Sequence, residues 1–365
     1  MTVFAACSKN EVASVSDGSN AISYITVANK PGTKAPIAGT DFSRDLAFGT
    51  YAFHLDGDTE WSTTTRETAQ TYISNAEIKY YPDAVAPFKA DSWHSTNAYY
   101  WPKVGNLTFF SYSFGKGNLD HAGTLTCTAK DGLKLSAYDV TAAENLNNDF
   151  MVANVEKSLS KSKTSSITAN VPAEFKHALT QIRSINISTD APCQPSGHQA
   201  GDKTISIVSV KLYGISQQGD FTYDEPDNSV DYTYTYGNWS NYSAKTSLTD
   251  GVIEFTPAST GNLPTNGSNL SFTNEQKLFI PQDLTDAKLQ IVYTINSYSS
   301  PTVYATQTIT ADLDLKNAEG TGDASKFKAN KAITYSIRIQ FGADSLIYWD
   351  PTLKDWETEN YSFTI

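Results

Sequence analysis

The sequence predicts an all-β protein, on three observations. Aromatic residues make up 12% of the chain, with 21 Tyr against 2 Met. Ring and β-branched side chains pack well on a pleated surface and lose rotamer freedom in a helix. Apolar residues recur at a spacing of two in short runs separated by turn residues, and a helical period is almost absent. At 365 residues the chain is too long for one comfortable core, so two β-sandwich domains in tandem are expected. The apolar-poor run from Lys157 to Ser166 sets the boundary, giving domains 35–165 and 166–365.

Taken in order, the chain opens on Phe4-Ala5-Ala6-Cys7, an apolar residue and two small ones before a cysteine. That is the recognition surface of a bacterial lipoprotein signal peptidase, which cuts before a lipid-bearing Cys; the polar run Ser8 to Asn20 would serve as tether. A charged segment and most of an apolar stretch are missing ahead of it, so the chain is expected to start inside its signal. Ile22 to Ala28 reads as a strand stopped by Pro31-Gly32, and Lys34 to Thr40 as an exposed linker. Residues 1–34 thus form a leader of lipobox, tether and first strand.

Leu46 to His54 has the look of a buried strand with a glycine at its middle, and Trp61 to Gln70 of a polar loop. Alternation returns at Ile78 to Tyr81. Leu107 to Phe114 is a strand with aromatics on both faces, after Pro102 ends the preceding segment. Asp149 to Ala153 is a short apolar run. Beyond the boundary, Ile182 and Ile185 break strict alternation, which predicts a bulge. Ile205 to Tyr213, Lys277 to Pro281, Leu289 to Tyr293 and Ile333 to Phe341 are further strands, and Tyr361, Phe363 and Ile365 close the chain on alternating apolar positions.

The formal net charge of −12, with no stretch that concentrates Lys and Arg, argues against nucleic-acid binding through phosphate neutralisation. No apolar run approaches the roughly 20 residues that span a bilayer, so membrane attachment would be through lipid on Cys7. Cys127 and Cys193 lie on opposite sides of the expected boundary; two buried free thiols fit better than a disulfide joining the domains. His54, His94, His121, His177 and His198 show no metal-ligand spacing, and His177 suits a sheet-face histidine with a backbone partner. No nucleophile elbow, phosphate loop or dinucleotide fingerprint is present, so neither catalysis nor a cofactor is expected.

Asp220, Asp224, Glu225, Asp227 and Asp231 lack the spacing of a calcium loop and read as a solvated turn. Tyr232, Tyr234, Tyr236 and Trp239 would put several rings on one strand face. They would either stack on a sugar or a partner protein, or cover a sheet face.

In order along the chain, several segments resemble the fimbrillins, or type V pilins, of Bacteroides-type bacteria. They are the lipobox at Cys7, Gly32-Thr33-Lys34-Ala35 ahead of Phe48-Gly49-Thr50-Tyr51-Ala52-Phe53, and Tyr100-Trp101-Pro102. Asp149 to Ala153, Phe175 to Leu179, Leu278 to Gln282, and Lys331 to Ile337 leading to Trp349 continue the series. The resemblance implies two transthyretin-like, Greek-key β-sandwich domains, export as an outer-membrane lipoprotein, and assembly with other pilin subunits into adhesive surface fimbriae. It implies that a trypsin-like protease removes the leader with its first strand, here Ile22, Tyr24, Ile25 and Val27, by cutting at Lys34-Ala35. The family often has Arg at that place, and Arg44-Asp45 is the second candidate. A neighbour's closing strand, Tyr361, Phe363 and Ile365, would fill the groove. A tip or anchor subunit, or a surface glycan-binding lipoprotein using the 232–239 rings, are the alternatives.

Overall fold

The computed structural model describes residues 20–26, 42–146, 148–160, 170–189, 197–223, 237–257, 263, 270–273, 278–320, 323–339, 347–349 and 357–362, with 319–320 and the last two stretches as backbone only. Its regular structure is β, apart from two short 3-10 turns. Among the described residues the strands form sheets of nine, eleven and four.

At the centre of the first half lie Ala47–Leu55 and Asn106–Ser113, paired antiparallel. Every residue of both is buried. A strand covered on one face alternates between inside and outside, so this pattern means that both faces are covered. One face carries Tyr51, Phe53, Phe110 and Tyr112, and the other carries Phe48, Ala52, Leu107 and Phe109. The mid-strand glycine has a packing reason: Gly49 stands opposite Tyr112, and a Cβ at 49 would fall 2.4 Å from that ring.

The nine-stranded sheet runs, neighbour by neighbour, Asn170–Ala173, Ser23–Thr26, Ser92–Ser95, Gln70–Tyr81, Ala47–Leu55, Asn106–Ser113, Met151–Ala153 and Phe175–His177, with Glu156–Leu159 also paired to Asn106–Ser113. Its two end strands are consecutive in the chain, separated by Glu174 alone. The sheet therefore curls until its ends meet, and encloses a core of Ile22, Tyr24, Phe48, Trp93, Trp101, Phe109 and Val171.

Against its other face packs the four-stranded sheet, Asn238–Ser240, Gln218–Tyr223, Gly132–Asp139 and Thr124–Thr128. Leu133, Leu135, Tyr138, Phe221 and Tyr223 share a core with Phe110, Tyr112 and Phe150. Phe221 is in register with Leu135, so strands from both sides of residue 165 build one sheet. The segments Asn170–Ala173 and Phe175–His177, also beyond 165, belong to the first sheet.

The eleven-stranded sheet contains the rest. Its main order is Val303–Asp314, Lys288–Ser300, Lys203–Tyr213, Ile253–Pro257, Leu270–Thr273, Thr180–Thr189, Lys331–Ile339, Glu357–Ser362 and Glu319–Gly320. Here burial does alternate, as in Lys288–Ser300, and one face carries a core that includes Ile185, Ile187, Leu289, Ile291 and Tyr335. The expected irregularity near Ile182 is present as a register shift between Ile182 and Ser184.

Several local readings change. The expected loop from Trp61 to Gln70 contains a 3-10 turn, Thr65–Thr68, and buries Trp61, whose backbone N–H donates to Ser158 Oγ at 2.7 Å. The strand read from Ile78 to Tyr81 begins at Gln70. His177 also meets a carboxylate that the sequence did not point to: its Nδ1 lies 2.7 Å from Asp149 Oδ2. Among the described residues no helix is long and apolar enough to cross a membrane.

Candidate functional site

The leading site is the place that the first strand occupies. Ser23–Thr26 sits between two neighbours rather than at a sheet edge. On one side it pairs in parallel with Asn170–Ala173, Tyr24 opposite Val171. On the other it meets Ser92–Ser95 antiparallel, Tyr24 opposite Trp93. Its entry is held by Ile22 N–H donating to Tyr99 O at 2.7 Å and by Trp101 N–H donating to Asn20 O at 2.9 Å. The Ser23 hydroxyl donates to Asn170 Oδ1.

Alternation decides what the strand contributes. Ile22 and Tyr24 point into the curled sheet and are almost wholly buried, whereas Ile25 is 44% exposed. Tyr24 is the main plug. Its ring makes edge contacts with Phe48 at 5.4 Å and Phe109 at 6.1 Å between centroids. Burial pushes its phenol well above the ordinary range, with the Thr50 hydroxyl partly offsetting the shift. Phe42 stacks on Phe175 at 4.6 Å and edges onto Trp93 at 5.4 Å. The slot is thus a row of backbone donors and acceptors floored by aromatic rings.

Next to it, on Ser92–Ser95, the imidazole of His94 lies between two rings, 4.0 Å from Tyr81 and 3.8 Å from Phe88. Its Nδ1 stands 3.0 Å from Ser95 O, so that nitrogen carries the proton, while Nε2 is buried with no hydrogen-bond partner. Burial lowers its pKa, and the Ser95 carbonyl offsets this in part.

The other sequence candidates fall as follows. Cys7, Val27, Lys34, Ala35, Cys193, Tyr232, Tyr234, Tyr236, Phe363 and Ile365 lie outside the described residues. Arg44 is described: its guanidinium sits 4.4 Å above the Tyr80 ring, in a turn closed by Leu46 N–H to Ser43 O and Ala47 N–H to Lys116 O. Trp239 faces inward, donating its indole N–H to Ala178 O at 2.9 Å and packing 5.2 Å from Phe221. Asp220 accepts from Ala137 N–H and Asn241 Nδ2, which together hold its carboxyl below the usual range. Tyr361 lies in Glu357–Ser362, paired in parallel with its own chain's Lys331–Ile339 and in register with Tyr335. Cys127 is a half-buried free thiol raised by burial. Among the described residues no group of three or more His, Cys, Asp or Glu is placed to hold a metal ion.

What the sequence did not reveal is the slot's parallel wall. Asn170–Ala173 stands 147 residues from its partner, and no local pattern marks that pairing. The rings of the floor were visible as the aromatic alternation of Leu107 to Phe114, but not their convergence on Tyr24.

The fold defines an all-β protein of packed and curled sheets, and its site is a strand position made of backbone edges and apolar rings. The chain belongs to the fimbrillin-like family, whose model matches residues 33–356. Its fold is similar to that of a fimbrial protein from Bacteroides vulgatus, with a TM-score of 0.58 at 18% identity over 92% of this chain and 99% of that one. Weaker similarities are to a candidate cell adhesion protein from Bacteroides uniformis (TM-score 0.46, 13% identity, 93% and 100% covered) and to a fimbrial anchor protein from Porphyromonas gingivalis (0.34, 11%, 90% and 96%). No curated protein sequence matches the chain.

Proposed function

We propose that this chain is a non-catalytic structural subunit of a cell-surface fimbria, exported as a lipoprotein through Cys7, in which the first strand is a placeholder for a strand from another subunit. The observation that carries the reading is the interior position of Ser23–Thr26, with Tyr24 plugging a ring-lined slot. Taking this strand away leaves Asn170–Ala173 without its only described partner and unpairs the facing edge of Ser92–Ser95. Unpaired backbone groups beside an apolar slot are satisfied best by another strand.

Lys34-Ala35 is the cut favoured here. Arg44-Asp45 lies in a hydrogen-bonded turn, and a protease needs a segment that can leave the body of the fold. For Tyr361, Phe363 and Ile365 to enter a neighbour, the closing strand must first leave its own sheet, where it pairs with Lys331 to Tyr335.

Treatment of purified protein with a trypsin-like protease tests the reading. The expected result is a new N-terminus at Ala35 by mass spectrometry and filaments by electron microscopy. Cleavage without filaments, or filaments from a chain lacking residues 361–365, would remove the strand-exchange scheme or its C-terminal donor respectively.

A further inference from the structure

A strand position of a different kind lies in the eleven-stranded sheet. The hairpin of Lys288–Ser300 and Val303–Asp314 ends the eleven-stranded sheet, and Val303–Asp314 pairs with Lys288–Ser300 alone among the described residues. Among the described residues its outer row of N–H and C=O groups has no partner strand, over a length of 12 residues. The other strands at sheet margins are much shorter: Thr124–Thr128 has 5 residues, Asn238–Ser240 has 3 and Glu319–Gly320 has 2.

Long edges are normally guarded against pairing by Lys, Pro, inward charges or a covering loop. This one carries no charge and no proline from Val303 to Ala311. Residues Val303 to Thr308 are exposed on both faces, with Val303 58% and Tyr304 52% accessible. Thr, Ile, Val and Tyr dominate, which are the residues that pair well across strands.

We propose that this edge binds the same edge of a second copy of the chain, antiparallel about a two-fold axis through Gln307. The strand is complementary to itself in that register. Residues 303 and 311 bound a charge-free window centred on 307, so each Asp312 falls outside the ladder. On the core-facing side, exposed Val303 would lie beside Ala311 and Ala305 beside Ile309, the two apolar residues that already pack against the core. On the other side Thr306 meets Thr308 and Tyr304 meets Thr310. Small residues thus oppose large ones, and the exposed half of each strand covers the half-buried half of the other. A two-fold contact of this kind uses one patch twice. Because each molecule carries a net charge of −12, a charge-free edge is where two copies can approach most closely.

The contact is independent of the first-strand slot, so it would join subunits side by side whether or not they are strung by strand exchange. Repetition along a fibre would make a weak single contact add up.

Sedimentation of the intact full-length chain tests it. The expected result is a concentration-dependent rise from 39.8 kDa toward twice that mass, strengthened by added salt because screening reduces repulsion between acidic chains. The double substitution Thr306→Lys/Thr308→Lys places like charges opposite each other and is expected to weaken association by about tenfold or more. Both side chains are exposed, so folding is preserved, as circular dichroism would verify. Mixing that protein with a Thr306→Glu/Thr308→Glu protein should restore the dimer. A chain that stays monomeric at every concentration, a dimer indifferent to the lysines, or a lack of recovery on mixing would each overturn the proposal.

Discussion

Two sheets of this molecule meet the same physical problem, an unpaired strand edge, in opposite ways. At the curled sheet the edge is filled from within the chain: Ser23–Thr26 pairs on both sides and drives Tyr24 between Phe48 and Phe109. At the end of the eleven-stranded sheet the edge of Val303–Asp314 is left open among the described residues. The difference lies in what stands behind each edge. A vacant first-strand position would open a ring-lined slot as well as backbone, whereas the outer hairpin strand already shows its backbone edge and its side chains, Val303 and Tyr304 among them, to solvent. A filled slot must be emptied before it can accept a partner; an open edge needs only charge control.

That contrast can be broken or sharpened by substitution. The largest effect is expected at the plug. Tyr24→Ala should lower stability by about 3–5 kcal/mol, the range for removing a large buried ring, and denaturant unfolding would measure it. A loss below 1 kcal/mol would mean that the strand is not seated by its ring.

Gly49→Ala comes next. It forces a methyl group into the Tyr112 ring and should cost about 1–3 kcal/mol, read in the same way. Smaller again is the pH dependence set by His94. Burial holds its folded-state proton affinity below that of the unfolded chain, so the unfolded state takes up more protons. Its contribution to stability is complete above the unfolded pKa of about 6.5 and declines as pH falls below it. His94→Phe, which keeps a flat ring between Tyr81 and Phe88, should flatten the stability curve between pH 7 and about 5 relative to the parent. Curves that stay parallel would assign the acid response elsewhere.

The smallest effect is expected on the open edge, where Tyr304→Ala should change the stability of the monomer by less than about 0.5 kcal/mol. If it cost as much as Tyr24→Ala, the two edges would not differ as described.

Strand content was legible because period-two alternation is written locally. Lys288–Ser300 and Thr180–Thr189 bury every second residue over most of their length, and the broken alternation at Ile182 and Ile185 announced the shift that the sheet contains. Leu46 to His54 read as a buried strand and Leu107 to Phe114 as one with aromatics on both faces; that both faces of each are covered is what the structure added. The strand Val303–Asp314 went unread although it is among the longest, since threonines on an exposed edge give no apolar rhythm. Trp239 read as one of a row of rings that would either stack on a ligand or cover a sheet face; its indole N–H finds the Ala178 carbonyl, a partner 61 residues away that no local pattern names.

By itself the sequence determined that this protein is all-β, which runs are buried, and that the chain resembles the fimbrillins, because side-chain period and segment order are properties of neighbours in the chain. Tertiary structure alone decided that Asn170–Ala173 walls the first-strand slot, that Thr124–Thr128 and Gly132–Asp139 share one sheet with Gln218–Tyr223 and Asn238–Ser240, and that one long edge has no partner strand among the described residues. Those facts depend on which distant backbones meet, and the energy of a backbone hydrogen bond is nearly the same for every residue that makes it.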